Sequence, residues 1–264
     1  VACYEDEKAL ARFAQIVDVV TYEFENVPLS SAQWLAERRP VFPPPLALET
    51  AQERLLEKTF FRDLGVAVPP FRAVNSRADF DLALQTVGLP AVLKTTRFGY
   101  DGKGQAVLKT PEQAEEAWQT LGGRPLILEG FVHFSRELSL LAVRGRTGAT
   151  AFYPLVENVH RDGILRRSVA PAQVTPDLQA QAQTIASKAL ASLNYVGVLA
   201  VELFQVGETL LVNEMAPRVH NSGHWTIEGA ETSQFENHLR AIAGLPLGST
   251  KPVGHSLMLN LIGT

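Results

Sequence analysis

The feature that most restricts the fold of this chain is a pair of apolar stretches that each carry one glutamate. Residues 196–205 contain Glu202, residues 210–214 end on Glu214, and Gly207 lies between the two stretches. Two apolar runs joined by a short glycine-containing segment predict a β-hairpin. The sequence therefore predicts a hairpin with one acidic side chain in each of its strands.

The length of the turn decides where these two carboxylates point. If the turn consists of residues 207–209, Val206 pairs with Leu210, and Glu202 lies directly opposite Glu214 with the Cβ atoms about 4.5–5.5 Å apart. If the turn has only two residues, the two glutamates lie on opposite faces of the hairpin. We assume the three-residue turn.

Two carboxylates so close together in apolar surroundings suggest a metal site. They repel each other, and one takes up a proton unless a cation lies between them. Mg²⁺ that bridges to substrate phosphates fits such a pair, since it usually takes one or two carboxylates and keeps several waters. Glu202 and Glu214 are therefore the candidate metal ligands, and Asn213 offers a further carbonyl oxygen. The alternative is that both glutamates face solvent, as Glu208 does, but their apolar neighbours favour the metal.

The composition fits a globular protein without a membrane span or a nucleic-acid partner. Of the 264 residues, 46% are hydrophobic and 20% are charged, and the apolar run that starts at Val196 is broken by Glu202. That run is far shorter than the ~20 residues a membrane helix needs. A net charge of −4 gives no general attraction for nucleic acid. The single cysteine, Cys3, fits a reducing, cytoplasmic location.

The remaining pattern mixes short apolar strands with helices, which is typical of an α+β or α/β protein. Pro28 favours a helix start, Ser76 and Thr175 are candidate N-caps, and Gly65 is a candidate helix end. The proline-rich residues 40–45 predict a linker. Helices are predicted at 5–16, 29–38, 47–64, 76–86, 111–121 and 176–193, and strands at 17–24, 91–95, 105–109, 126–129, 138–144, 149–156, 164–170, 196–205, 210–214 and 256–262.

A lysine and a glycine-rich loop form a second candidate site. Lys94 ends a predicted strand, and residues 99–104, which include three glycines, lead to the next strand at Gln105. Glycines let backbone amides approach an anion closely, and successive amides make a concave anion site. The loop is not a Walker A motif, because Lys103 is followed by glycine and has no Ser or Thr beside it. A plain hairpin connection explains the glycines equally well.

Two further segments carry polar groups at strand ends. Glu129 lies where a buried strand emerges, on backbone that could pair with an adenine edge, and Glu137 on the next strand could accept ribose hydroxyls. Residues 215–225 follow Glu214 directly and are dense in hydrogen-bond donors, which favours the binding of substrate oxyanions. The donors of this loop are Arg218, His220, Asn221, Ser222 and His224.

These segments together resemble the ATP-grasp enzymes, and more specifically the 5-(carboxyamino)imidazole ribonucleotide synthetase family of purine biosynthesis. The resemblance runs from about residue 17 to residue 263 and is carried by residues 22–27, 98–105, 162–166 and 216–225. The last of these, Ala-Pro-Arg-Val-His-Asn-Ser-Gly-His-Trp, is the most specific.

The resemblance implies a reaction and a set of residues. ATP phosphorylates bicarbonate to carboxyphosphate, and the amine of 5-aminoimidazole ribonucleotide takes up the CO₂ unit, with release of ADP and phosphate. Glu202 and Glu214 would hold Mg²⁺. The family's ATP contacts would fall on Arg54, Lys94, Gly99, Tyr100, Asp101, Gly102, Lys103, Gly104, Gln105, Glu129, Gly130, Phe131, Val132, Glu137, His160, Asn213 and Glu214. Bicarbonate and the aminoimidazole would meet Tyr100, Asp101, Lys103, Arg218, His220, Asn221 and Ser222, with Glu23 a weaker candidate.

The resemblance also implies an ATP-grasp fold, in which two α+β subdomains clasp ATP, behind a partial N-terminal α/β domain. Residues 1–46 would be the remnant of that N-terminal domain, 47–71 a linker helix, 72–132 the small lid subdomain and 133–264 the large subdomain. The chain starts without an opening strand and stops inside a predicted one, so both ends are expected to be incomplete. By family precedent the protein would be a homodimer.

Two other functions remain open at this level. Another ATP-grasp ligase, such as a formate-dependent glycinamide ribonucleotide transformylase or a biotin carboxylase, shares the lysine, the loop and the paired acids, although not the full run from Arg218 to Trp225. A non-catalytic ATP-binding module would bind nucleotide without bicarbonate-dependent turnover. The retention of Glu202, Glu214 and the polar loop together argues against such a module.

Overall fold

The computed structural model describes residues 2–97 and 104–262. The N-terminal segment contains helices α1, Glu7–Ile16, and α2, Leu29–Ala36. The strand predicted at 17–24 is wrong as a strand, because its pairing is reduced to a single parallel bridge between Val20 and Val41. Val20 and Leu35 pack together in a small apolar cluster of this segment.

The long helix predicted at 47–64 is also wrong, because the chain forms two helices there. Helix α3, Pro45–Gln52, ends before Glu53, whose extended backbone interrupts the helix, and α4, Arg54–Asp63, begins immediately after it. The Glu53 carboxylate caps α4 by accepting from Leu56 N at 2.7 Å. The amide of Arg54 donates to the Thr96 carbonyl at 2.9 Å instead of continuing a helix. The break therefore ties α4 to the neighbouring sheet.

A four-stranded antiparallel sheet, in the order β1-β4-β2-β3, forms the smaller unit. Two helices pack on it, and each has a hydroxyl N-cap, Ser76 and Thr110 respectively. The apolar core between sheet and helices includes Leu93 and Phe80, both fully buried. The elements are β1 Phe71–Val74, α5 Arg77–Val87, β2 Ala91–Thr95, β3 Gln105–Leu108, α6 Pro111–Leu121 and β4 Leu126–Gly130.

A seven-stranded antiparallel sheet forms the larger unit, in the order β10-β9-β5-β7-β8-β11, with β6 paired to β5. The strand predicted at 149–156 is in fact two strands, because Pro154 has no amide hydrogen with which to continue the ladder. The elements are β5 Arg136–Arg144, β6 Thr150–Phe152, β7 Val156–Arg161, β8 Ile164–Ala170, α7 Pro176–Ser192, β9 Gly197–Val206, β10 Thr209–Ala216, α8 Thr226–Gly229, α9 Gln234–Ala243 and β11 Ser256–Leu259, with a 3-10 turn at Asn221–Gly223.

Both faces of the larger sheet are buried. One face packs against α7 and α4 through residues such as Leu199 and Phe61, and the other packs against α9 and Trp225. This double coverage explains why residues 196–201 read as a continuous apolar run. Among the described residues, no helix is long and apolar enough to cross a membrane.

Candidate functional site

The two glutamates of the β9–β10 hairpin do face each other, but not for the predicted reason. Val206 pairs with Thr209, not with Leu210, so the turn has two residues and the three-residue turn is wrong. Alone, that turn would place the acids on opposite faces. The register then shifts between Val212 and Glu214, and this β-bulge brings Glu214 opposite Glu202. A bulge adds one residue to one strand and re-aims the side chains beyond it. Here it offsets the shorter turn.

The carboxylates differ in their surroundings. Glu214 is exposed, and the Glu202 side chain keeps only 17% of its surface accessible. Burial, together with the charge of Glu214, raises the pKa of Glu202 from 4.5 to about 8. Glu202 therefore holds a proton at neutral pH unless a cation offsets its charge.

His220 contacts Glu202 through a defined tautomer. Its Nδ1 accepts from the Ser222 amide at 3.4 Å and contacts the Ser222 hydroxyl at 2.9 Å. A backbone amide can only donate, so Nδ1 is unprotonated and Nε2, 3.2 Å from Glu202 Oε1, carries the hydrogen. Burial and the Arg218 charge lower the pKa of His220 to about 3. His220 is thus a neutral donor to Glu202.

Arg218 pairs with a residue that the sequence reasoning did not single out. Its Nε donates to the carboxylate of Glu25, and Nη1 donates to the Val219 carbonyl at 2.9 Å. Burial opposes the charge of Arg218, but the hydrogen bond to Glu25 and the negative charges of Glu25, Glu23 and Glu202 together outweigh burial and raise the pKa of Arg218. Glu25 lies in the same 22–27 motif as the weaker candidate Glu23, so this motif was the available signal; Glu23, whose charge also acts on Arg218, stays a prediction.

These groups line one cavity of about 350 Å³. Asn221 contributes a carbonyl oxygen that is buried without a hydrogen-bond partner in the described parts of the chain. Buried acceptors usually have a hydrogen-bond donor, and a ligand in the cavity can supply the donor for this oxygen. The predicted site residues that line this cavity are Arg54, His160, Glu202, Glu214, Arg218, His220 and Asn221.

Lys94 and Glu129 lie together in a buried charge cluster beside this cavity. Lys94 Nζ is 3.0 Å from Glu129 Oε2, and Lys58 Nζ is 3.4 Å from the same oxygen. Burial alone would raise the pKa of Glu129, but the two lysines outweigh it and lower the pKa. Oε2 of Glu129 is therefore committed to lysines, whereas Oε1 is buried without a hydrogen-bond partner among the described residues. The amides of Gly130 and Phe131 are also engaged, with the carbonyls of Pro70 and Pro90 respectively.

Other predicted contacts lie at the rim. His160 Nδ1 lies 2.5 Å from Glu137 Oε2. Burial lowers the pKa of His160, but the hydrogen bond with Glu137 and the negative charges of Glu137, Glu202 and Glu214 together outweigh burial and raise this pKa. Phe131 and Val132 line a second depression next to Gly207.

The glycine-rich loop is described only at its end. The predicted residues Gly99, Tyr100, Asp101, Gly102 and Lys103 lie outside the described residues. Gly104 has φ +70° and its carbonyl accepts from Thr95 N at 2.8 Å, so it closes the β2–β3 connection next to Gln105. A Cβ on Gly104 would lie 2.8 Å from Thr95 Oγ1, so only glycine fits without a shift.

Two functional candidates were missed altogether. Glu57 and Lys58 on α4 are buried and reach β10 at its bulge, where Glu57 Oε1 accepts from Met215 N at 2.6 Å. Burial and the charge of Glu214 raise the pKa of Glu57 to about 8. The available signal was the spacing of Glu57 and Phe61, which puts a charged residue on the buried face of α4.

Comparison with known proteins places this site in a defined class. A model of the ATP-grasp domain matches residues 59–235, and a model of the ribonucleotide synthetase preATP-grasp domain matches residues 1–52. The chain is therefore an ATP-grasp enzyme, as the lysine, the loop and the facing acids indicated.

Individual relatives narrow the class further. The chain is 56% identical to the N5-carboxyaminoimidazole ribonucleotide synthase of Pseudomonas aeruginosa over 99% of its own length and 72% of that protein. The crystal structure of the synthetase from Thermus thermophilus superposes with a TM-score of 0.96 at 63% identity, covering 100% of this chain and 72% of that one. The synthase from Aspergillus clavatus, in complex with ADP and 5-aminoimidazole ribonucleotide, superposes with a TM-score of 0.91 at 32% identity, covering 100% and 70%.

The chain belongs to the N5-carboxyaminoimidazole ribonucleotide synthase family. This is the family indicated by the 22–27, 98–105 and 216–225 motifs.

Proposed function

We propose that this chain catalyses the ATP-dependent carboxylation of 5-aminoimidazole ribonucleotide with bicarbonate in purine biosynthesis. A bicarbonate oxygen attacks the γ-phosphorus of ATP, ADP leaves, and carboxyphosphate forms. The exocyclic amine then attacks the carboxyl carbon, phosphate leaves, and the amine loses a proton. The observation that carries the proposal is the bulged hairpin, which turns Glu202 and Glu214 into one cavity with Arg218.

The Glu202–Glu214 pair fits Mg²⁺. In the described residues, no three His, Cys, Asp or Glu side chains gather as a metal cluster, so an all-protein cage is not the expected mode. Mg²⁺ instead uses one or two carboxylates plus substrate phosphates. A cation at this position would supply the countercharge that Glu202, with its raised pKa, needs in order to ionise. When bound there, Mg²⁺ would neutralise the β- and γ-phosphates as charge develops.

The nucleotide is expected to lie between the two sheets. Lys94 provides a point charge for a phosphate, and Glu129 holds that lysine from behind. Because the amides of Gly130 and Phe131 are already bonded, we expect an adenine edge to meet their carbonyls or Val132. The other proposed ATP contacts are Arg54, Gly99, Tyr100, Asp101, Gly102, Lys103, Gly104, Gln105, Glu137, His160, Asn213 and Glu214.

The anionic intermediate would be held by the loop after β10. Arg218 keeps its charge inside the cavity, so it can stabilise carboxyphosphate. Neutral His220 orients Glu202, and the unpaired oxygen of Asn221 can accept from the aminoimidazole. Ser222 fixes the His220 ring, and Tyr100, Asp101 and Lys103 complete the substrate site. Asp101 is the candidate that receives the amine proton.

The domain boundaries, the oligomeric state and the cellular location also remain proposals. The division at residues 46, 71 and 132 is supported by the separate sheets on either side of residue 132. A homodimer rests on family precedent and a cytoplasmic location rests on the single cysteine, Cys3. The mass of the purified protein in solution tests the homodimer.

A coupled assay tests the proposed reaction. We expect ADP formation that requires 5-aminoimidazole ribonucleotide and bicarbonate together. Formation of ADP that depends on formate or biotin instead would move the chain to another ATP-grasp activity. Nucleotide binding without turnover, unaffected by Arg218→Ala, would identify a non-catalytic module.

A further inference from the structure

Two consecutive residues of α4 hold the outer edge of β10 at its bulge. Glu57 Oε1 accepts from the Met215 amide at 2.6 Å. Lys58 Nζ donates to the Asn213 carbonyl at 2.5 Å and lies 3.4 Å from the Val212 carbonyl. These contacts bracket Glu214 on both sides along the strand.

The bulge needs such partners. β10 is the edge strand of the larger sheet, so its outward backbone groups have no neighbouring strand. A bulge also leaves the extra residue, here Asn213, outside the ladder. Buried backbone groups without partners are costly, and an alternative register without the bulge would turn Glu214 away from Glu202. The side chains of α4 thus stabilise the register that builds the site.

Lys58 also reaches the smaller sheet. Its ammonium lies 3.4 Å from Glu129 Oε2, and the same oxygen accepts from Lys94 at 3.0 Å. Side-chain exposure is 2% for Lys58 and 3% for Glu129. Because solvent barely reaches these side chains, removal of one charged partner leaves the remaining buried charges without full compensation. A continuous chain of contacts therefore runs from Lys94 through Glu129 and Lys58 to the bulge.

We propose that Glu57 and Lys58 are positioning residues. They stabilise the bulge that turns Glu214 toward Glu202, and they fix the distance between Glu214 and Lys94. The proposal rests on the proposed function, because it assumes that Glu214 binds a metal ion and Lys94 a phosphate. Glu57 also lines the cavity, but the role proposed for both residues does not require contact with the substrate. They act through the backbone of β10 and through Glu129.

The test uses variants that separate the hydrogen bond from the bulk of the side chain. Glu57→Leu removes the acceptor for Met215 N, and Glu57→Gln keeps it. Lys58→Met keeps the length of the side chain and removes its donors. Lys188→Met is the matched control, because Lys188 donates to the Leu64 carbonyl at the far end of α4, at 3.0 Å, away from the cavity.

Two readouts distinguish positioning from mere stability. The first is the Mg²⁺ concentration for half-maximal ADP formation, with KM for ATP and kcat. The second is direct Mn²⁺ binding, measured by electron paramagnetic resonance with a non-hydrolysable ATP analogue. Loss of a group that orients a metal ligand typically costs about 10–100-fold in metal affinity or activity. We expect losses of this size in Glu57→Leu and Lys58→Met, recovery to within about threefold in Glu57→Gln, and no change in Lys188→Met.

Folded Glu57→Leu with unchanged Mn²⁺ binding and Mg²⁺ dependence would overturn the proposal, even if its melting temperature fell. A metal-binding loss in Glu57→Gln equal to that in Glu57→Leu would also contradict it. If Lys58→Met does not fold, the Glu57 pair still decides. Because Mn²⁺ binding needs no turnover, a wild-type protein that binds metal and analogue but forms no ADP would refute the proposed reaction and not the positioning role.

Discussion

Replacement of Glu202 by glutamine should stabilise the ligand-free protein while it abolishes activity. The folded protein holds a proton on Glu202 between pH 4.5 and about 8, whereas the unfolded chain releases it. The folded state therefore binds more protons in this window, and the free energy of unfolding falls as pH rises through it. Glutamine has no charge to lose, and its carbonyl still accepts from His220. The variant removes this penalty without removing the contact.

The size of the effect follows from the difference between the pKa of Glu202 in the unfolded chain and its pKa in the folded protein. One pKa unit corresponds to about 1.4 kcal/mol, so the full span from 4.5 to about 8 corresponds to about 5 kcal/mol above pH 8. The side chain keeps 17% of its surface accessible, so solvent will reduce this amount. We expect a gain of about 2 kcal/mol or more at pH 8.5, which is a rise of roughly 4–8 °C in melting temperature.

The assay is thermal melting at pH 5 and pH 8.5 with a metal chelator present, beside the coupled ADP assay. Glu208→Gln is the matched control, because Glu208 is exposed in the turn of the same hairpin. Glu202→Gln should gain stability at pH 8.5 only and lose more than about 100-fold in activity. A melting temperature equal to that of wild type at pH 8.5, or full activity, would refute the claim that Glu202 is a buried acid awaiting a cation.

Three further outcomes are expected. Arg218→Lys should lower kcat by at least about tenfold with a small change in KM for ATP, because lysine cannot reproduce the guanidinium's planar contacts. A rise in KM for ATP as large as the fall in kcat would argue against a role for Arg218 at the intermediate. His238 is buried and accepts from Val198 N at 3.1 Å, and burial lowers its pKa to about 4. As pH falls, the unfolded chain therefore takes up a proton on this histidine before the folded protein does. The free energy of unfolding, measured by denaturant titration, should fall by up to about 3 kcal/mol between pH 6.5 and 4, and this fall should be absent from His238→Gln. Gly104→Ala should cost about 1 kcal/mol or more in thermal unfolding and weaken ATP binding, since its Cβ would meet Thr95 Oγ1; an unchanged KM for ATP would separate the glycine from the nucleotide site.

The facing acids show how a sequence prediction can reach a correct arrangement through a wrong step. Periodicity predicted the hairpin, and the apolar neighbours of Glu202 predicted its burial. The two-residue turn and the bulge at Asn213 each shift the register by one residue, and the shifts cancel. Nothing in the alternation of residues 209–216 marks the bulge, because its partners are side chains from α4, far away in sequence.

The break between α3 and α4 illustrates the same limit. No glycine or proline interrupts residues 47–64, so local propensity favours one helix. The helix ends at Gln52 because Arg54 N bonds to Thr96 O in another unit. Lys58 was missed for a related reason, since its acceptor at residue 213 is 155 positions away. In contrast, the donor-rich run from Arg218 to Ser222 is contiguous, so the sequence alone was sufficient to predict it as a site.

The most direct test of this account is a crystal structure of the protein with a non-hydrolysable ATP analogue and Mg²⁺. We predict a cation coordinated by Glu202 and Glu214 and by phosphate oxygens, with Lys94 Nζ in contact with the same triphosphate. A triphosphate bound elsewhere, or a cation that leaves Glu202 uncoordinated, would contradict the account.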